Sequence, residues 1–266
     1  MSNLSSHPKV ATLLPVRYLT LTRFDEYFMS LSHAAVNIAY AAFFALRAAE
    51  GKYVILDNSA VELGHPEDFG SYLLKAQLMN ASEILLPDWL QDSERTLKEM
   101  YSSLEVLKDL DFKPNVMVVP QGETVGDWLD CAEKMMNVAR VSTLGISCRY
   151  TDMFGGSRAL AVKYLSGLIH MLGRTDLKIH LLGCYSDPRI DAPLLQSEFV
   201  RGMDSSYAAV FTSHGMSIGN GAPRPKDRNV DFLVDYYDRE LLMSNLAWWW
   251  LYTSGGRENE ASSEVR

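Results

Sequence analysis

The feature that most constrains the fold of this chain is a regular alternation of short apolar runs with longer helical patterns. Most of the short runs lack polar–apolar alternation, which is typical of strands buried on both faces. The predicted strands span residues 17–22, 53–56, 83–86, 115–119, 143–147, 178–182 and 199–203, with a weaker eighth candidate at 208–212. The predicted helices span residues 25–49, 66–79, 92–110, 124–139, 157–172 and 231–252.

Seven or eight such alternations predict a parallel sheet whose strands are connected by helices. The chain has 266 residues, and a single α/β barrel typically needs about 250 residues. We therefore predict an α/β fold, a (β/α)8 TIM-like barrel that forms one domain over residues 1–256, followed by a disordered tail at 257–266. An open, doubly wound sheet is the alternative. Neither a GxGxxG motif after a strand nor a GxxxxGK[ST] motif is present in the sequence, which disfavours the nucleotide-binding folds that carry them.

The composition is that of an acidic globular protein without a membrane segment. The formal net charge is −8, so a polyanion would have to be bound by a local basic patch. Cys131, Cys148 and Cys184 are widely spaced, which argues against a disulfide framework and a cysteine-rich zinc site. The most apolar stretch, residues 34–46, is shorter than the roughly 20 residues that span a bilayer. We therefore expect a cytoplasmic protein.

Polar or small residues follow almost every predicted strand. Because catalytic residues of a parallel barrel lie at the carboxyl ends of its strands, we expect these residues to converge. Aspartates in such positions are also common as helix caps, but three of them with a glutamine suit acid–base chemistry or recognition of a purine edge. The residues concerned are Asp57-Asn58-Ser59-Ala60, Asp88, Gln121-Gly122, Ser147, Gly183 and Asp204.

These segments, in this order, resemble those of the tRNA-guanine transglycosylase superfamily, whose members are (β/α)8 barrels. Asp57-Asn58-Ser59-Ala60 is similar to the family's Asp-Ser-Gly-Gly segment, and His180-Leu181-Leu182-Gly183 is similar to its Tyr-Leu-Met-Gly strand. The segment 201–208 is similar to the one that carries the family's nucleophile. The resemblance implies that Asp204 is the nucleophile and Asp57 the acid–base residue. It also implies a set of base-binding residues: Asp88, Gln121, Gly122, Gly145, Ile146, Ser147 and Gly183.

The sequence also departs from this family. Asn58 replaces a serine, Ala60 replaces a glycine, and the family's cysteine–histidine zinc site is absent from the sequence. A chain without that zinc-binding insertion is more similar to the compact phage relatives that insert 7-deazaguanine bases into DNA. The resemblance thus implies DNA, or tRNA as the alternative, as a partner, together with a base such as 7-cyano-7-deazaguanine. It implies no cofactor and no metal, and, for a phage-encoded member, action in the host cell cytoplasm.

We therefore predict a pentosyltransferase that exchanges guanine in DNA for a 7-deazaguanine through a covalent aspartyl–sugar intermediate. Three alternatives remain: a tRNA-specific enzyme without zinc, a non-catalytic nucleic-acid-binding subunit, and a barrel enzyme that acts on free nucleosides.

Nucleic acid would be held by a basic patch near the last strands. We predict that this patch contains Arg149, Arg224, Lys226 and Arg228, with Arg158 and Lys163 as extensions. A solvated loop of mixed charge is the simpler interpretation of residues 219–228. Trp248-Trp249-Trp250 is typical either of a buried helix seam or of a homodimer interface. His180 is interpreted as a core or lining residue, His214 as a candidate to face the substrate, and Tyr150 and Phe154 as parts of a loop over the pocket.

Overall fold

The computed structural model describes residues 9–184, 187–221, 223–225, 230–233 and 236–254. These residues form eight parallel strands that alternate with helices. The strands are β1 (Lys9–Thr12), β2 (Tyr27–Leu31), β3 (Tyr53–Asp57), β4 (Glu83–Leu85), β5 (Asn115–Val118), β6 (Thr143–Ser147), β7 (Lys178–Leu182) and β8 (Val200–Ser205).

The α-helices of the described residues connect the strands and cover their outer faces. They are α1 (Ile38–Ala49), α2 (Ala60–Leu63), α3 (Phe69–Leu78), α4 (Ser93–Lys108), α5 (Val125–Met136), α6 (Ala159–Met171), α7 (Pro188–Asp191), α8 (Tyr207–Ser213) and α9 (Arg239–Thr253). Short 3-10 segments lie at Val16–Thr22, Ala34–Val36, Cys148–Tyr150, Ala192–Gln196 and Ile218–Asn220.

The strand order is β1-β8-β7-β6-β5-β4-β3-β2, and every hydrogen-bonded pair is parallel. The two end strands, β1 and β2, lie beside each other. The sheet is therefore a nearly closed barrel with a seam between these two strands. The predicted (β/α)8 barrel is confirmed, and the open, doubly wound sheet is excluded because the ends of the sheet meet.

The helices are held on the barrel by apolar stripes and by capped ends. Helix α5 buries Trp128, Cys131 and Met135 on one face. At its start, Thr124 and Asp127 form a reciprocal capping box that satisfies backbone N–H groups of the first turn. This cap fixes the direction in which the chain leaves β5 and enters the helix.

Several predicted elements were wrong near the chain ends. The strand predicted at 17–22 is a 3-10 helix, which buries Tyr18, Leu19 and Thr22 at helical spacing. The helix predicted at 25–49 contains β2 as well as α1, because all five residues of β2 are buried and the strand therefore shows no period of two. β1, with four residues, was missed.

The C-terminal elements also differ from the prediction. The weak eighth strand at 208–212 is helix α8, whose residues 207–212 are all buried, so that its apolar run has no polar face to reveal a helical period. The helix predicted at 231–252 begins only at Arg239, where Asp238 caps it. The tail predicted at 257–266 lies outside the described residues. Within the described part of the chain, no helix has the length and apolarity needed to cross a membrane.

Candidate active site

The carboxyl ends of the strands bring most of the predicted site residues to one mouth of the barrel. Asp57 ends β3, and Asp204 lies in β8 one residue before its end. Asp88 and Gln121 each lie three residues beyond the ends of β4 and β5, and Gly183 directly follows β7. The mouth therefore contains a base-binding candidate cluster, around Asp88 and Gln121, and a nucleophile candidate cluster, around Asp204.

Asp88 is the centre of the first cluster. Its Oδ1 accepts a hydrogen bond of 2.7 Å from Nδ2 of Asn58, and its Oδ2 accepts one from Nε2 of Gln121. Asn58 also donates to the carbonyl of Leu86 at 2.8 Å. The ends of β3, β4 and β5 are thus connected through one carboxylate.

Burial strongly perturbs this carboxyl group. Desolvation raises the pKa of Asp88 to about 6, although the hydrogen bonds from Asn58 and Gln121 act in the opposite direction. The group therefore changes its charge close to neutral pH, with the carboxylate dominant at pH 7. A carboxylate with amide neighbours can accept hydrogen bonds from the N–H edge of a purine.

Gln121 is fully buried and connects this cluster to the loop after β6. Its Oε1 accepts hydrogen bonds from the Tyr150 hydroxyl and, at 3.1 Å, from the backbone N–H of Gln91. The next residue is glycine for a steric reason, since a Cβ on Gly122 would lie 2.5 Å from the backbone nitrogen of Trp128. The Gln121-Gly122 pair therefore combines a fixed amide with a close approach to α5.

Asp204 is buried and held by two N–H groups. Its Oδ1 accepts a hydrogen bond of 3.1 Å from the backbone of Gly183 and lies 3.0 Å from Nε2 of His180. Gly183 has a φ of +65°, a backbone conformation that favours glycine. The carboxylate is thus fixed by His180 on β7 and by Gly183 directly after that strand.

Asp57 is half-buried and has a strongly perturbed pKa. Burial raises this pKa well above its ordinary value, the charge of Glu62 on α2 raises it further, and the charges of Asp204 and Asp88 add to the effect. The backbone N–H of Ser59 donates to its Oδ1 at 2.6 Å and acts in the opposite direction. Asp57 is therefore suited to hold and transfer a proton beside the other two carboxylates.

The loop after Asp57 retains the backbone shape that glycine would favour. Ser59 has a φ of +57°, in the left-handed region, although it is not glycine. Its hydroxyl lies 2.9 Å from Nδ1 of His33 and 3.1 Å from the hydroxyl of Ser32. These contacts to the loop after β2 offset the strain that a side chain brings at this φ.

β6 carries three predicted base-binding residues, Gly145, Ile146 and Ser147, and they do not all face the barrel interior. Thr143 contacts Glu83 in the barrel interior, so Gly145 and Ser147 face inward and Ile146 faces the helices. A Cβ on Gly145 would lie 2.6 Å from Leu182. The carbonyl of Ile146 accepts a hydrogen bond of 2.7 Å from Arg158. Ser147 is thus the one of the three whose side chain lies at the inward end of the strand.

Arg158 was predicted to extend the basic patch that would bind nucleic acid, but it does not lie at the surface. It is fully buried and forms an ion pair of 2.7 Å with Asp191. It also donates to the carbonyls of Ile146, Leu182 and Gly183 at 2.7–2.9 Å. Its role is therefore to connect the ends of β6 and β7.

The predicted basic patch is described only in part. Arg149 is exposed after β6. Burial raises the pKa of Glu62, and the positive charge of Arg149 acts against this rise. Arg224 lies against the barrel, with its guanidinium 5.2 Å from the ring centre of Tyr207 and a hydrogen bond to the carbonyl of Cys184. Lys226 and Arg228 lie outside the described residues.

Two other predictions concern residues near the C-terminal end of the described chain. His214 does not follow a strand; it lies at the end of α8, where its Nδ1 is 2.9 Å from the carbonyl of Val210. Trp249 is fully buried and donates to Thr12 at 3.1 Å. Its neighbours Trp248 and Trp250 are half-buried. The described contacts thus seat α9 on the barrel, and the homodimer stays a prediction.

The described residues contain no group of three or more His, Cys, Asp or Glu side chains placed to hold a metal ion. A scan against protein-family models found no match to this chain, and a search of curated proteins also found none. The resemblance to the transglycosylase superfamily therefore depends on the residues and on their placement.

Three residues of the candidate site make contacts that the sequence alone did not indicate. Asn58 is a positioning residue for Asp88, Tyr150 contacts Gln121 from the loop after β6, and His180 contacts the nucleophile candidate. A histidine at the middle of a buried strand was the available signal for His180. Its partner could not be identified, because the strand that follows β7 begins 18 residues later.

Proposed function

We propose that this protein is a base-exchanging transglycosylase that replaces guanine in a nucleic acid by a 7-deazaguanine, with DNA as the favoured substrate. The observation that carries this proposal is the division of the mouth into two clusters. One fixes a carboxylate, Asp204, by two N–H groups, and the other presents a carboxylate and an amide, Asp88 and Gln121, to a purine-like edge. The charges of Asp204 and Asp88 both act on Asp57 and raise its pKa.

The reaction proceeds in two displacements at C1′ of the sugar. In the first, a carboxylate oxygen of Asp204 forms a bond to C1′ as the bond from C1′ to N9 of guanine breaks, and Asp57 gives a proton to the departing base. In the second, Asp57 takes the proton from N9 of the incoming base, and N9 displaces Asp204 from C1′. The same pairing of a nucleophilic and a proton-transferring carboxyl group operates in retaining glycosidases.

Base recognition follows from the chemistry of Asp88 and Gln121. Each carboxylate oxygen of Asp88 keeps capacity for a second hydrogen bond and can accept from the N1–H and N2–H groups of guanine. The second N–H of the Gln121 amide can donate to the base carbonyl. A 7-deazaguanine presents the same edge, so one pocket serves both the departing and the incoming base.

The target nucleotide must leave the base stack, because C1′ and the base are otherwise inaccessible to a pocket at the barrel mouth. Arg149 is a basic residue that is exposed directly after β6, at this mouth. Lys226 and Arg228, from the sequence that follows α8, complete the proposed phosphate contacts. A net charge of −8 restricts these contacts to a small patch.

The test is incorporation of labelled guanine into DNA and, in parallel, into tRNA. The wild-type chain is expected to label DNA, whereas Asp204→Asn and Asp204→Ala abolish both labelling and the covalent adduct seen after denaturation. Asp130→Asn is the matched control, because Asp130 is exposed on α5 away from the mouth. Full exchange by Asp204→Ala would refute the assignment of the nucleophile.

The same assay separates the other functions. Labelling of tRNA but not of DNA would identify tRNA as the substrate. Hydrolysis of free nucleosides without nucleic-acid binding would identify a nucleoside-processing barrel. Binding of DNA without adduct or exchange would indicate a non-catalytic subunit. Mass spectrometry of DNA nucleosides from cells that express the chain and receive a deazaguanine supply then identifies the inserted base.

A further inference from the structure

A chain of buried polar groups extends from Asp204 down the barrel axis. Nε2 of His180 lies 3.0 Å from Oδ1 of Asp204, and Nδ1 of His180 lies 2.8 Å from the Tyr27 hydroxyl. Nε of Arg201 donates to that hydroxyl at 3.2 Å, and Arg201 in turn forms an ion pair with the fully buried Glu83. Below the nucleophile candidate there is thus a continuous hydrogen-bonded relay.

A β-bulge allows one strand to supply both Asp204 and Arg201 to this relay. Opposite β7, Ile179 pairs with Val200 and His180 pairs with Gly202, so Arg201 is the extra residue of β8. Bulges commonly redirect a side chain next to an active site. Here the bulge lets Arg201 reach the interior below Tyr27, while Asp204 remains at the mouth.

The direction of the hydrogen bonds follows from the donor inventory. A carboxylate only accepts, so Nε2 of His180 carries the ring proton and donates to Asp204. In the neutral imidazole Nδ1 is then the acceptor nitrogen, and it receives the O–H of Tyr27, whose oxygen accepts from Arg201. Burial lowers the pKa of His180 and raises that of Tyr27, which keeps the imidazole neutral and the phenol protonated.

This arrangement makes the two oxygens of Asp204 unequal. Oδ1 receives the N–H groups of Gly183 and His180, whereas none of the hydrogen bonds among the described residues reaches Oδ2. The neutral imidazole of His180 orients the carboxylate of Asp204 through a hydrogen bond and does not transfer its proton to that carboxylate. Its hydrogen bond is also stronger to a charged carboxylate than to an ester, so it favours departure of Asp204 from the sugar.

We infer that His180 is a positioning residue for the nucleophile: a neutral imidazole held in the Nε2–H tautomer between Asp204 and the Tyr27 hydroxyl, which directs Oδ2 of Asp204 toward C1′ and stabilises the carboxylate as the intermediate is resolved. This inference rests on the proposed function. It adds a group, and a reason for its tautomer, that the resemblance does not supply, because the family segment has tyrosine where this chain has His180.

The first test compares His180→Leu, which removes the donor, with His180→Gln, whose amide can replace the Nε2–H group. Misplacement of a reacting group costs on the order of 100-fold in rate. His180→Leu is expected to lose about that much kcat in base exchange, with unchanged KM for guanine and a larger trapped fraction of covalent adduct. His180→Gln is expected to recover most of the loss. His170→Gln, at an exposed position of α6, is the control.

The second test reads the tautomer without any activity. Long-range ¹⁵N–¹H spectra of protein labelled at its six histidines, assigned by the signal lost in His180→Gln, report which ring nitrogen of His180 carries the proton. The wild type is expected to show Nε2–H and no titration across neutral pH. Tyr27→Phe is expected to release this lock, so that its exchange rate acquires a pH dependence near neutrality. The charged or titratable groups that face His180 are Asp204, Tyr27, Arg201 and Glu83.

The outcomes are distinguishable. Wild-type kcat in a folded His180→Leu variant, or a His180→Gln variant as inactive as His180→Leu, would overturn the inference and leave the proposed function intact. An Nδ1–H tautomer in the wild type would also overturn it. A wild-type chain that exchanges no base in DNA or tRNA would reject the proposed function itself.

Discussion

Asp88 illustrates how burial determines the chemistry of a single residue. The sequence places it after a strand, where a helix cap and a base-binding group look alike. In the structure its carboxylate receives hydrogen bonds from Asn58 and Gln121, and desolvation raises its pKa to about 6. Both effects depend on neighbours that are 30 or more residues away in the chain.

The pKa of Asp88 predicts a pH-dependent affinity for guanine. In the proposed mode of binding the carboxylate accepts the N–H groups of the base, and the carboxylate is lost by protonation as the pH falls through about 6. The dissociation constant, measured by calorimetry, is therefore expected to rise by up to about tenfold per pH unit below that value. Asp88→Asn should bind guanine weakly and with little change between about pH 5 and pH 8. An unchanged wild-type affinity over this range would contradict the assignment.

A second prediction for a single residue concerns Gly122, which lies close to the backbone of α5. A Cβ there would lie 2.5 Å from the backbone of Trp128, so Gly122→Ala must displace the loop that carries Gln121. Overpacking of this kind costs about 1–3 kcal/mol in the free energy of unfolding. Gly126→Ala, on α5, is the control, because its Cβ would be at 3.7 Å from the nearest atom and alanine favours a helix. Chemical denaturation of both variants tests the difference.

At the scale of elements, Arg158 joins the carboxyl ends of β6 and β7. Its guanidinium holds three strand-end carbonyls and the buried Asp191, and one of those carbonyls belongs to Gly183, whose N–H contacts Asp204. The position of Asp204, the proposed nucleophile, thus depends on the packing of α6 and α7 against the barrel.

Removal of Arg158 is therefore expected to be costly. Arg158→Met leaves Asp191 buried and unpaired, which typically lowers the free energy of unfolding by about 3–5 kcal/mol. Arg189→Met breaks the exposed pair with Asp187 and should cost at most about 1 kcal/mol. The double variant Arg158→Met with Asp191→Asn should recover part of the loss. Equal effects of the two single variants in thermal unfolding would argue against a structural role of the buried pair.

The elements differ in how well the sequence predicts them. The five strands from β3 to β7 were placed within one residue at either end, because each is an apolar run bounded by polar residues. β2 and α8 were assigned the wrong type, since a wholly buried segment has no polar face and thus no period. The candidate site residues at the strand ends could be proposed for the same reason, whereas the contacts of Asn58, Tyr150 and His180 form only between different strands and loops.

At the scale of the whole molecule, the barrel combines an acidic surface with a proposed polyanionic substrate. The net charge of −8 opposes non-specific binding, so the affinity for DNA should be low at high salt and should depend on few phosphate contacts. The exposed Arg149 at the mouth is proposed as one of them.

Substitution of Arg149 tests this distribution of charge. Arg149→Ala should weaken DNA binding and lower the slope of log K against log salt by about 0.9, the contribution of one phosphate contact. Lys134→Ala is the control, because Lys134 is exposed in the last turn of α5, at the opposite end of the barrel. Fluorescence anisotropy at several salt concentrations measures both slopes, and equal slopes would remove Arg149 from the interface.

The sequence by itself determined the alternation of buried strands with helices and the candidates at the strand ends, because buried parallel strands and the polar residues after them are local signals. The tertiary structure decided the closure of the barrel, the partners of Asp88 and the relay beneath Asp204. These depend on distances between side chains of different strands and on their burial, neither of which a linear pattern contains. The same is true of Arg158, whose charge predicted a surface patch and whose burial made it a support for β6 and β7.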